Sequence, residues 1–308
     1  MGKKKKYERK MSKVVYILFL IILLFVGIYL QNDKSEVEAI NKVVEVSSEL
    51  KIYYLNVGEA DCILIQNGGK NMIIDAGNNE DGNEIVEFLK AQAIEKIDVL
   101  VGTHPHEDHI GGLDNIINNF DIGKIYMPKV ATTTKSFEDV IKAIESKGLN
   151  ITTPVIGKTF KLGECNFKIL HTDDNEENLN NSSIVLKMEF GRLSYLFTGD
   201  VEADGEKAII DSGYDIKANV LKVAHHGSNS SSTEEFLDKV APDIAVIMCG
   251  KNNDYWHPHQ VILNRLNARK IKIYRTYEDG TILITSDGYT NRVKTLKDIY
   301  LNVEKEKN

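Results

Sequence analysis

The amino-acid sequence predicts an α/β protein in which two β-sheets pack together and helices cover them on the outside. Each half of the chain's body opens on short strand-like segments joined by turns, then continues as strands that alternate with helices. The 308 residues are 42% hydrophobic and 27% charged, which is ordinary for a globular protein and enough for one large domain or two small ones.

The first half begins with three apolar segments separated by glycine-containing turns, followed by an amphipathic helix and a buried strand. The strands are predicted at Lys51–Leu55, Cys62–Gln66, Met72–Asp75, Ile97–Val101 and Ile125–Met127, and the helices at Asn83–Gln92, Leu113–Phe120 and Phe137–Lys147. Polar residues with distinctive chemistry repeatedly follow these strands, where α/β proteins place their sites.

The second half repeats the mixture, and Gly191-Arg192 joins two of its strands as a hairpin. Its strands are predicted at Phe167–Leu170, Ile184–Phe190, Ser194–Thr198, Val220–Ala224 and Ile244–Met248, and its helices at Glu202–Asp211, Glu234–Val240 and His259–Arg269. Ile271–Thr276 and Thr281–Thr285 are expected to form a closing hairpin with each other.

The N-terminus predicts attachment to a membrane. Seven basic residues in 1–13 precede an uncharged apolar run, 14–30, that is just long enough to span a bilayer as a helix. The basic flank is expected to stay cytoplasmic and the body to lie outside. A cleavable signal peptide is the alternative, but no small-residue cleavage site follows, so a retained anchor is favoured. A linker, 31–48, then leads to the domain at 49–308.

Charge limits the partners of that domain. Residues 1–13 carry a net charge of +6, so the rest of the chain carries −13 out of the overall −7. A body this acidic does not have the electrostatic footprint of a non-specific nucleic-acid binder. A local cationic site is still able to attract an anionic substrate.

The segment THPHEDHIGG, residues 103–112, holds three of the chain's eight histidines. Because it follows a predicted strand, an extended backbone points His104 and His106 the same way, and Pro105 stiffens that arrangement. Asp108 and His109 come next, and imidazole with carboxylate suits Zn²⁺, Mn²⁺ or Fe. The pattern predicts a metal site, and a structural metal held by a closed set of ligands is the alternative.

Five more segments extend this pattern: NVGEAD at 56–61, IIDAG at 73–77, NNSSIVL at 180–186, LFTGD at 196–200 and LKVAHHGSNSSS at 221–232. With them the chain resembles the metallo-β-lactamase-fold hydrolases over roughly residues 50–290. Within that family it is similar to the branch of the nuclease-like domain of ComEC-type competence proteins and the phosphorylcholine esterases. The resemblance implies a four-layer αββα sandwich with the site at one edge between the sheets.

The resemblance also implies two divalent metal ions, Zn or Mn. One ion would be held by His104 and His106 and the other by Asp108, His109 and His225, with Asp200 between them. Many family members supply a further histidine to the first ion from the loop before the TGD strand, and here that imidazole is missing. His171 begins this loop but sits where the fold has a strand-end residue, so the first site is expected to be weak.

Other residues are assigned to the reaction or the substrate. Asp108 and His226 are the catalytic candidates, with His226 donating a proton to the leaving group or binding phosphate oxygens. The candidates for substrate binding are Asn181, Ser182, Ser228 and His257. Either of the adjacent histidines 225 and 226 is able to ligate, and the first is preferred. For His257, a structural turn anchored by Trp256 is an equal alternative.

The predicted function is a membrane-anchored extracytoplasmic hydrolase of phosphodiesters that uses a hydroxide generated on the metal. The expected substrate is a nucleic acid, a nucleotide or a choline phosphoester, and no protein partner is identifiable. Within enzymes the alternative is a lactonase or β-lactamase-type hydrolase. Outside enzymes it is a non-catalytic module of DNA uptake or envelope assembly with a vestigial metal site.

Overall fold

A computed structural model of the chain describes residues 48–174 and 177–297. The predicted basic segment, the predicted anchor at 14–30 and nearly all of the predicted linker lie outside these ranges, and the domain boundaries stay predictions. Within them, no helix combines the length and the apolar character needed to cross a bilayer.

The first sheet has eight strands and is antiparallel at one side and parallel at the other. They are β1 (Leu50–Tyr54), β2 (Ile63–Asn67), β3 (Lys70–Ile74), β4 (Lys96–Val101), β5 (Asp121–Tyr126), β6 (Ile151–Thr152), β14 (Thr281–Ser286) and β15 (Asn291–Leu296). Their order is β15-β14-β1-β2-β3-β4-β5-β6. The parallel pairs β3-β4 and β4-β5 end at the same edge, which is where the HPHEDH segment begins.

The second sheet has seven strands in the order β13-β12-β11-β10-β9-β8-β7. They are β7 (Thr159–Leu162), β8 (Cys165–His171), β9 (Val185–Phe190), β10 (Leu193–Phe197), β11 (Val220–Lys222), β12 (Ile244–Ile247) and β13 (Lys272–Arg275). β10 to β13 are parallel, so the residues that follow β10, β11 and β12 meet at one edge.

Helices cover the outer face of each sheet. They are α1 (Gly82–Ala91), α2 (Glu107–Ile110), α3 (Leu113–Asn119), α4 (Lys135–Ser146), α5 (Ala203–Asp211), α6 (Glu234–Val240), α7 (Gln260–Ala268) and α8 (Thr276–Asp279). Each long helix buries one apolar stripe: in α1 the buried residues include Ile85, Val86 and Leu89.

Three buried apolar clusters show the layers directly. One lies between the first sheet and its helices, one between the two sheets, and one between the second sheet and its helices. Alternating side chains of one strand enter different clusters: in β1, Ile52 and Tyr54 face the other sheet while Tyr53 faces the helices. The two-sheet arrangement expected from the sequence is therefore confirmed.

The predicted closing hairpin is wrong. The strand predicted at Ile271–Thr276 is β13, which pairs in parallel with β12 in the second sheet, whereas the strand predicted at Thr281–Thr285 is β14, which pairs with β1 and β15 in the first sheet. The short helix α8 separates them, so the chain changes sheets at this point. The hairpin partner of β14 is β15, a strand that the sequence pattern did not predict.

Candidate metal centre

Four side chains from the two halves of the domain converge on one point. Asp108, His109, Asp200 and His226 each offer a ligand atom, and these atoms all lie within 4.8 Å of one another. His226 Nε2 lies 3.1 Å from Asp108 Oδ2, and His109 Nε2 lies 3.2 Å from Asp200 Oδ2. The ends of three strands bring these residues together. Asp108 and His109 follow β4, Asp200 follows β10 and His226 follows β11.

The turn after β4 depends on a glycine for close packing. Gly111 has a helical φ of −54° and needs no left-handed conformation. A Cβ at this position, however, would meet the backbone of Asn78 and Asn79 and lie 2.7 Å from the carbonyl oxygen of Glu107. The absence of a side chain therefore lets the short helix that carries His109 pack directly against the loop after β3.

A second pair of histidines lies beside this group. His104 Nε2 is 3.0 Å from His106 Nδ1 and 4.0 Å from Asp200 Oδ2. The other nitrogen of His104 faces the hydroxyls of Thr103 and Ser183, at 3.2 and 3.4 Å. His104 thus borders Asp200 of the four-residue group, and His106 is joined to it through His104.

The structure places the two adjacent histidines differently with respect to the four-residue group. His226 is buried, with Nδ1 2.8 Å from the carbonyl of Met248, and its Nε2 lies in the four-residue group. His225 is partly exposed and lies outside that group, with Nε2 4.0 Å from Asp200 Oδ2. The reason is a turn in which both residues adopt left-handed φ values, 49° and 53°, so the usual alternation of a strand does not continue through it.

Buried partners fix the orientation of His109. Its Nδ1 lies 2.9 Å from Asp75 Oδ2, and Asp75 in turn accepts hydrogen bonds of 2.8 and 2.7 Å from the backbone N–H and the hydroxyl of Thr103. A carboxylate behind an imidazole sets its tautomer and aims its other nitrogen, here Nε2, at the site. Asp75 therefore supports the site from behind His109.

The sequence argument missed Lys222, a fully buried lysine at the end of β11. Its ammonium group forms an ion pair with Asp61, lies 3.7 Å from Asp200 Oδ1 and donates to the carbonyl of Gly199 at 3.3 Å. It stands on the side of Asp200 away from the imidazoles, so one carboxylate is held from both sides. A charged residue inside the apolar run VLKVA was the signal that could have found it.

Charge is tightly balanced at this centre. Burial alone lowers the pKa of His109, but Asp200, Asp108 and Asp75 raise it well above its usual value. Burial likewise lowers the pKa of His226, but the negative charge of Asp200 outweighs it, so this pKa is also well above its usual value. Burial raises the pKa of Asp200, yet the two imidazoles outweigh it and hold that pKa well below its ordinary range.

These residues fit a divalent cation. His109 Nε2, which belongs to one of the convergent side chains, is buried without a hydrogen-bond partner among the described residues. Two imidazoles and two carboxylates are a donor set that Zn²⁺ and Mn²⁺ accept. Asp61, Asp75 and His109 also lie close together, but the ammonium group of Lys222 already supplies the positive charge at Asp61.

The centre lies at the base of a cavity of about 580 Å³. Six carboxylates line this cavity: Glu59, Glu80, Asp81, Glu107, Asp108 and Asp200. Histidines 106, 225, 226 and 257 also line it, and among the described residues no lysine or arginine does. A larger cavity of about 740 Å³ around Lys187 and Asp215 is lined by none of the candidate ligands.

Comparison with known proteins identifies the family. Residues 55–251 match the model of the metallo-beta-lactamase superfamily, and this range contains every residue of the four-residue group. The chain belongs to the metallo-β-lactamase superfamily. Members of this superfamily are usually hydrolases.

Several relatives of this superfamily member are ComEC-type competence proteins. ComE operon protein 3 of Bacillus subtilis is 33% identical over 271 residues, which are 81% of this chain and 34% of the relative. Recombination protein 2 of Haemophilus influenzae is 28% identical over 75% of this chain and 28% of its own length. The chain therefore spans about a third of the curated relatives it matches. The predicted resemblance to ComEC-type proteins is confirmed.

Solved structures of other proteins share the fold. YhfI of Bacillus subtilis aligns with a TM-score of 0.54 at 10% identity, over 78% of this chain and all of that one. CmlA, a diiron beta-hydroxylase of Streptomyces venezuelae, aligns with a TM-score of 0.51 at 14% identity, over 80% of this chain and 54% of that one. At these identities the likeness shows the fold alone.

Around the metallo-β-lactamase site, the predicted substrate residues take different positions. His257 lines the cavity, with Nδ1 2.7 Å from Glu59 Oε1. Asn181, Ser182 and Ser228 are buried and are not among the residues that line it. Their polar atoms are used within the fold: the Ser182 hydroxyl, for example, donates to the carbonyl of Leu179 at 2.6 Å.

The neighbours of those residues meet the site instead. Asn180 lines the cavity, and the Ser183 hydroxyl accepts a 3.0 Å hydrogen bond from the backbone N–H of Asp200. His171 is buried with Nε2 2.9 Å from the carbonyl of Asn181, so its imidazole is used within the fold. The third imidazole that the first cation site lacks is therefore not supplied from this loop.

Proposed function

We propose that this chain is a metal-dependent phosphodiesterase that acts on nucleotide substrates. Asp108, His109, Asp200 and His226 hold one divalent cation, and His104 and His106 share Asp200 in holding a second. When bound, such ions supply Lewis acidity and an acidified water for attack on phosphorus. With two divalent ions and two carboxylates the centre is cationic, which suits an anionic phosphodiester.

One observation carries this proposal: side chains that follow strands of both sheets bring ligand atoms within 4.8 Å of one another beside an open cavity, and one of these side chains, His109, has its Nε2 buried without a hydrogen-bond partner in the part of the chain that the structure describes. A structural metal would be closed off by its ligands, whereas here Asp108 is about a third exposed and faces the cavity. The geometry thus favours a cation that meets substrate over one that only stabilises the fold.

We assign proton transfer at the substrate to His225, in place of the role that the sequence suggested for His226. The Nδ1 of His225 is held by the Ser230 hydroxyl at 3.1 Å and by Glu202 Oε1 at 3.3 Å. Its Nε2 is left facing the cavity beside Asp200. A fixed imidazole with one free nitrogen is the arrangement that general acid–base catalysis requires.

The test is hydrolysis of bis(p-nitrophenyl) phosphate by the full-length protein with Zn²⁺ or Mn²⁺, with and without chelator. Asp108→Ala is expected to abolish turnover, and His225→Ala to reduce kcat about 100-fold or more while bound metal stays unchanged. Asp121→Ala is the matched control, because Asp121 is exposed, pairs with Lys96 and does not line the cavity. Turnover of this and other phosphodiesters that persists in Asp108→Ala, or no turnover with any metal, refutes the proposal.

A second candidate is a non-catalytic module of DNA uptake, which the competence relatives favour. Metal analysis separates the two candidates: a phosphodiesterase should carry at least one ion per chain after purification, and a vestigial site less than one. The acidic lining of the cavity supports the enzyme over a DNA tether, because a tether depends on cationic contacts with phosphates.

We also propose that residues 14–30 anchor the domain to the membrane with its site on the extracytoplasmic side. The apolar run and its basic flank support this orientation. Full-length protein should sediment with membranes and be accessible to protease from outside the cell, whereas a chain starting at residue 46 should be released. Sedimentation of both forms alike would refute the anchor.

A further inference from the structure

Two exposed aromatic residues stand beside the cavity, in the loop that connects β12 to α7. Trp256 is 83% exposed and Tyr255 is 66% exposed, the two highest values among the large hydrophobic side chains that the structure describes. Tyr255 also lines the cavity. Surface aromatics at the rim of a site are a common means of binding flat ligands, because each presents a wide apolar face.

The loop that carries them is held in place by its own hydrogen bonds. The side chain of Asn253 donates to the carbonyls of Gly250 and His257, at 2.9 and 2.7 Å, and accepts from the backbone N–H groups of Tyr255 and His257. Glu59 ties the loop to the first half of the domain, because it pairs with His257 and accepts from the N–H of Gly250 at 2.6 Å. The aromatic rings are therefore presented from a fixed backbone.

A series of stacked rings connects this loop to the metal centre. The ring of His226 lies 6.1 Å from that of His257 at an interplanar angle of 26°, and His257 lies 5.6 Å from Tyr255 at 18°. One face of Tyr255 is thus covered by His257, and its exposure leaves the other available. A flat group stacked there would lie against the wall of the same cavity that the candidate ligands Asp108, Asp200 and His226 line.

The charges around the cavity limit what else can hold the substrate. Its lining has six carboxylates and, within the described residues, no lysine or arginine. Phosphates that flank the scissile one would find no cationic partner among the groups that line the cavity. Among the groups that line the cavity, recognition beyond the central phosphate is therefore left to histidines, stacking and neutral hydrogen bonds.

We propose that Tyr255 and Trp256 form a stacking platform for the base next to the scissile phosphate, so that the substrate is a short single-stranded nucleic acid or a nucleotide ester. Aromatic stacking accepts every base because each has a π-face, and it requires an unpaired strand. This inference rests on the proposed phosphodiesterase function and adds the substrate class and the residues that select it.

Binding can be tested without catalysis, because Trp256 is the only tryptophan in the chain. Thymidine 5′-monophosphate should quench its fluorescence in the full-length protein and half-saturate at a concentration at least 5-fold lower than inorganic phosphate. Tyr255→Ala should weaken this binding about 5-fold or more, the loss typical of one stacked base. Tyr289→Ala is the matched control, since Tyr289 is an exposed tyrosine that does not line the cavity.

Equal quenching by thymidine monophosphate and by phosphate would overturn the platform. Tighter binding of phosphorylcholine than of the nucleotide would also overturn it, because exposed aromatics with carboxylates then form a site for a quaternary ammonium group.

Kinetics provide the second test. In Trp256→Ala, the ratio of kcat/KM for thymidine 5′-(p-nitrophenyl) phosphate to that for methyl p-nitrophenyl phosphate should fall about 5-fold or more. For a short oligonucleotide, the KM should depend little on salt concentration. If log KM instead rises with log salt concentration by a slope of about 0.7 per phosphate contact, cationic groups bind the phosphates and the charge argument is overturned. No turnover of either ester, with quenching intact, would refute the phosphodiesterase but not the platform. Turnover of both esters with an unchanged ratio would refute the platform alone.

Discussion

Replacing Lys222 by methionine tests whether a buried cation holds the candidate site together. The change preserves most of the side-chain volume but removes the ammonium group between Asp61 and Asp200, whose carboxylates are also buried. At the 3.7 Å that separates Nζ from Asp200 Oδ1, the attraction of one such pair is about 4.5 kcal/mol at an effective dielectric of 20. Breaking a buried pair from one side costs about 3–5 kcal/mol, because the remaining charge is left unsolvated.

Lys187→Met is the matched control. Lys187 is also buried, on β9 of the same sheet, but its partners Asp215 and Glu189 are 77% and 59% exposed in their side chains, so water solvates them after the change. Surface partners of this kind contribute about 0–1 kcal/mol. The Tm of the metal-free protein should therefore fall by on the order of 10 °C in Lys222→Met and by a few degrees in the control.

The two variants should also differ in their affinity for metal. Lys222→Met should bind Zn²⁺ or Mn²⁺ with altered affinity because Asp200 loses the contact on its far side, while Lys187→Met should bind as the wild type does. If the two variants unfold within 1 kcal/mol of each other and bind metal alike, the ammonium group does not organise the carboxylates and the reasoning is wrong.

Three further predictions concern the same site. His225→Gly should be more stable than His225→Ala by about 1 kcal/mol in denaturant unfolding, because glycine accepts the left-handed φ of 49° without strain, while both lose activity equally. Metal binding should release about two protons at neutral pH, because His109 and His226 have raised pKa values and hold protons before the ion arrives. Calorimetry in buffers of different ionisation enthalpy measures this release. The apparent affinity should then rise as pH rises. Gly111→Ala should lower the free energy of unfolding, measured by thermal unfolding, by about 3 kcal/mol, because the new Cβ meets fixed backbone. The control Gly148→Ala should lower it by about 1 kcal/mol, because its Cβ enters open space and only the φ is unfavourable.

Each of these has a clear contrary result. Equal stability of the glycine and alanine variants would mean that the turn stores no strain. Release of less than one proton per ion would mean that the two imidazoles are neutral before metal binds. Equal losses at the two glycine positions would mean that the loop after β3 is able to move away from the short helix.

The sequence predicted the parts of the fold whose pattern is local. Helix Glu234–Val240 is found at its predicted bounds, because Thr233 caps it and its apolar residues repeat at helical spacing. The closing hairpin failed because two apolar segments with a short polar connection look alike whether the strands pair with each other or enter different sheets. That choice depends on which sheet edge is open, and the chain's local pattern does not contain this information.

The site shows the same division. The HPHEDH segment and the aspartate after β10 could be singled out because ligand type and spacing are visible in the sequence. Which of His225 and His226 lies with them could not, because that depends on backbone dihedral angles in a turn. Ser183 was missed in favour of its neighbour for a similar reason, since one residue of register decides which hydroxyl faces Asp200.

The candidate ligands come from both sheets, and this has a mechanical consequence. His109 follows β4 of the first sheet, while Asp200 and His226 follow strands of the second, so a bound ion would cross-link the two layers of the sandwich. Affinity for the ion would then report how the layers are aligned, and a change in the core between them would be felt at the centre. Tyr54 and Phe197, whose rings stack 6.4 Å apart across that interface, would act as remote regulators of metal affinity without touching a ligand.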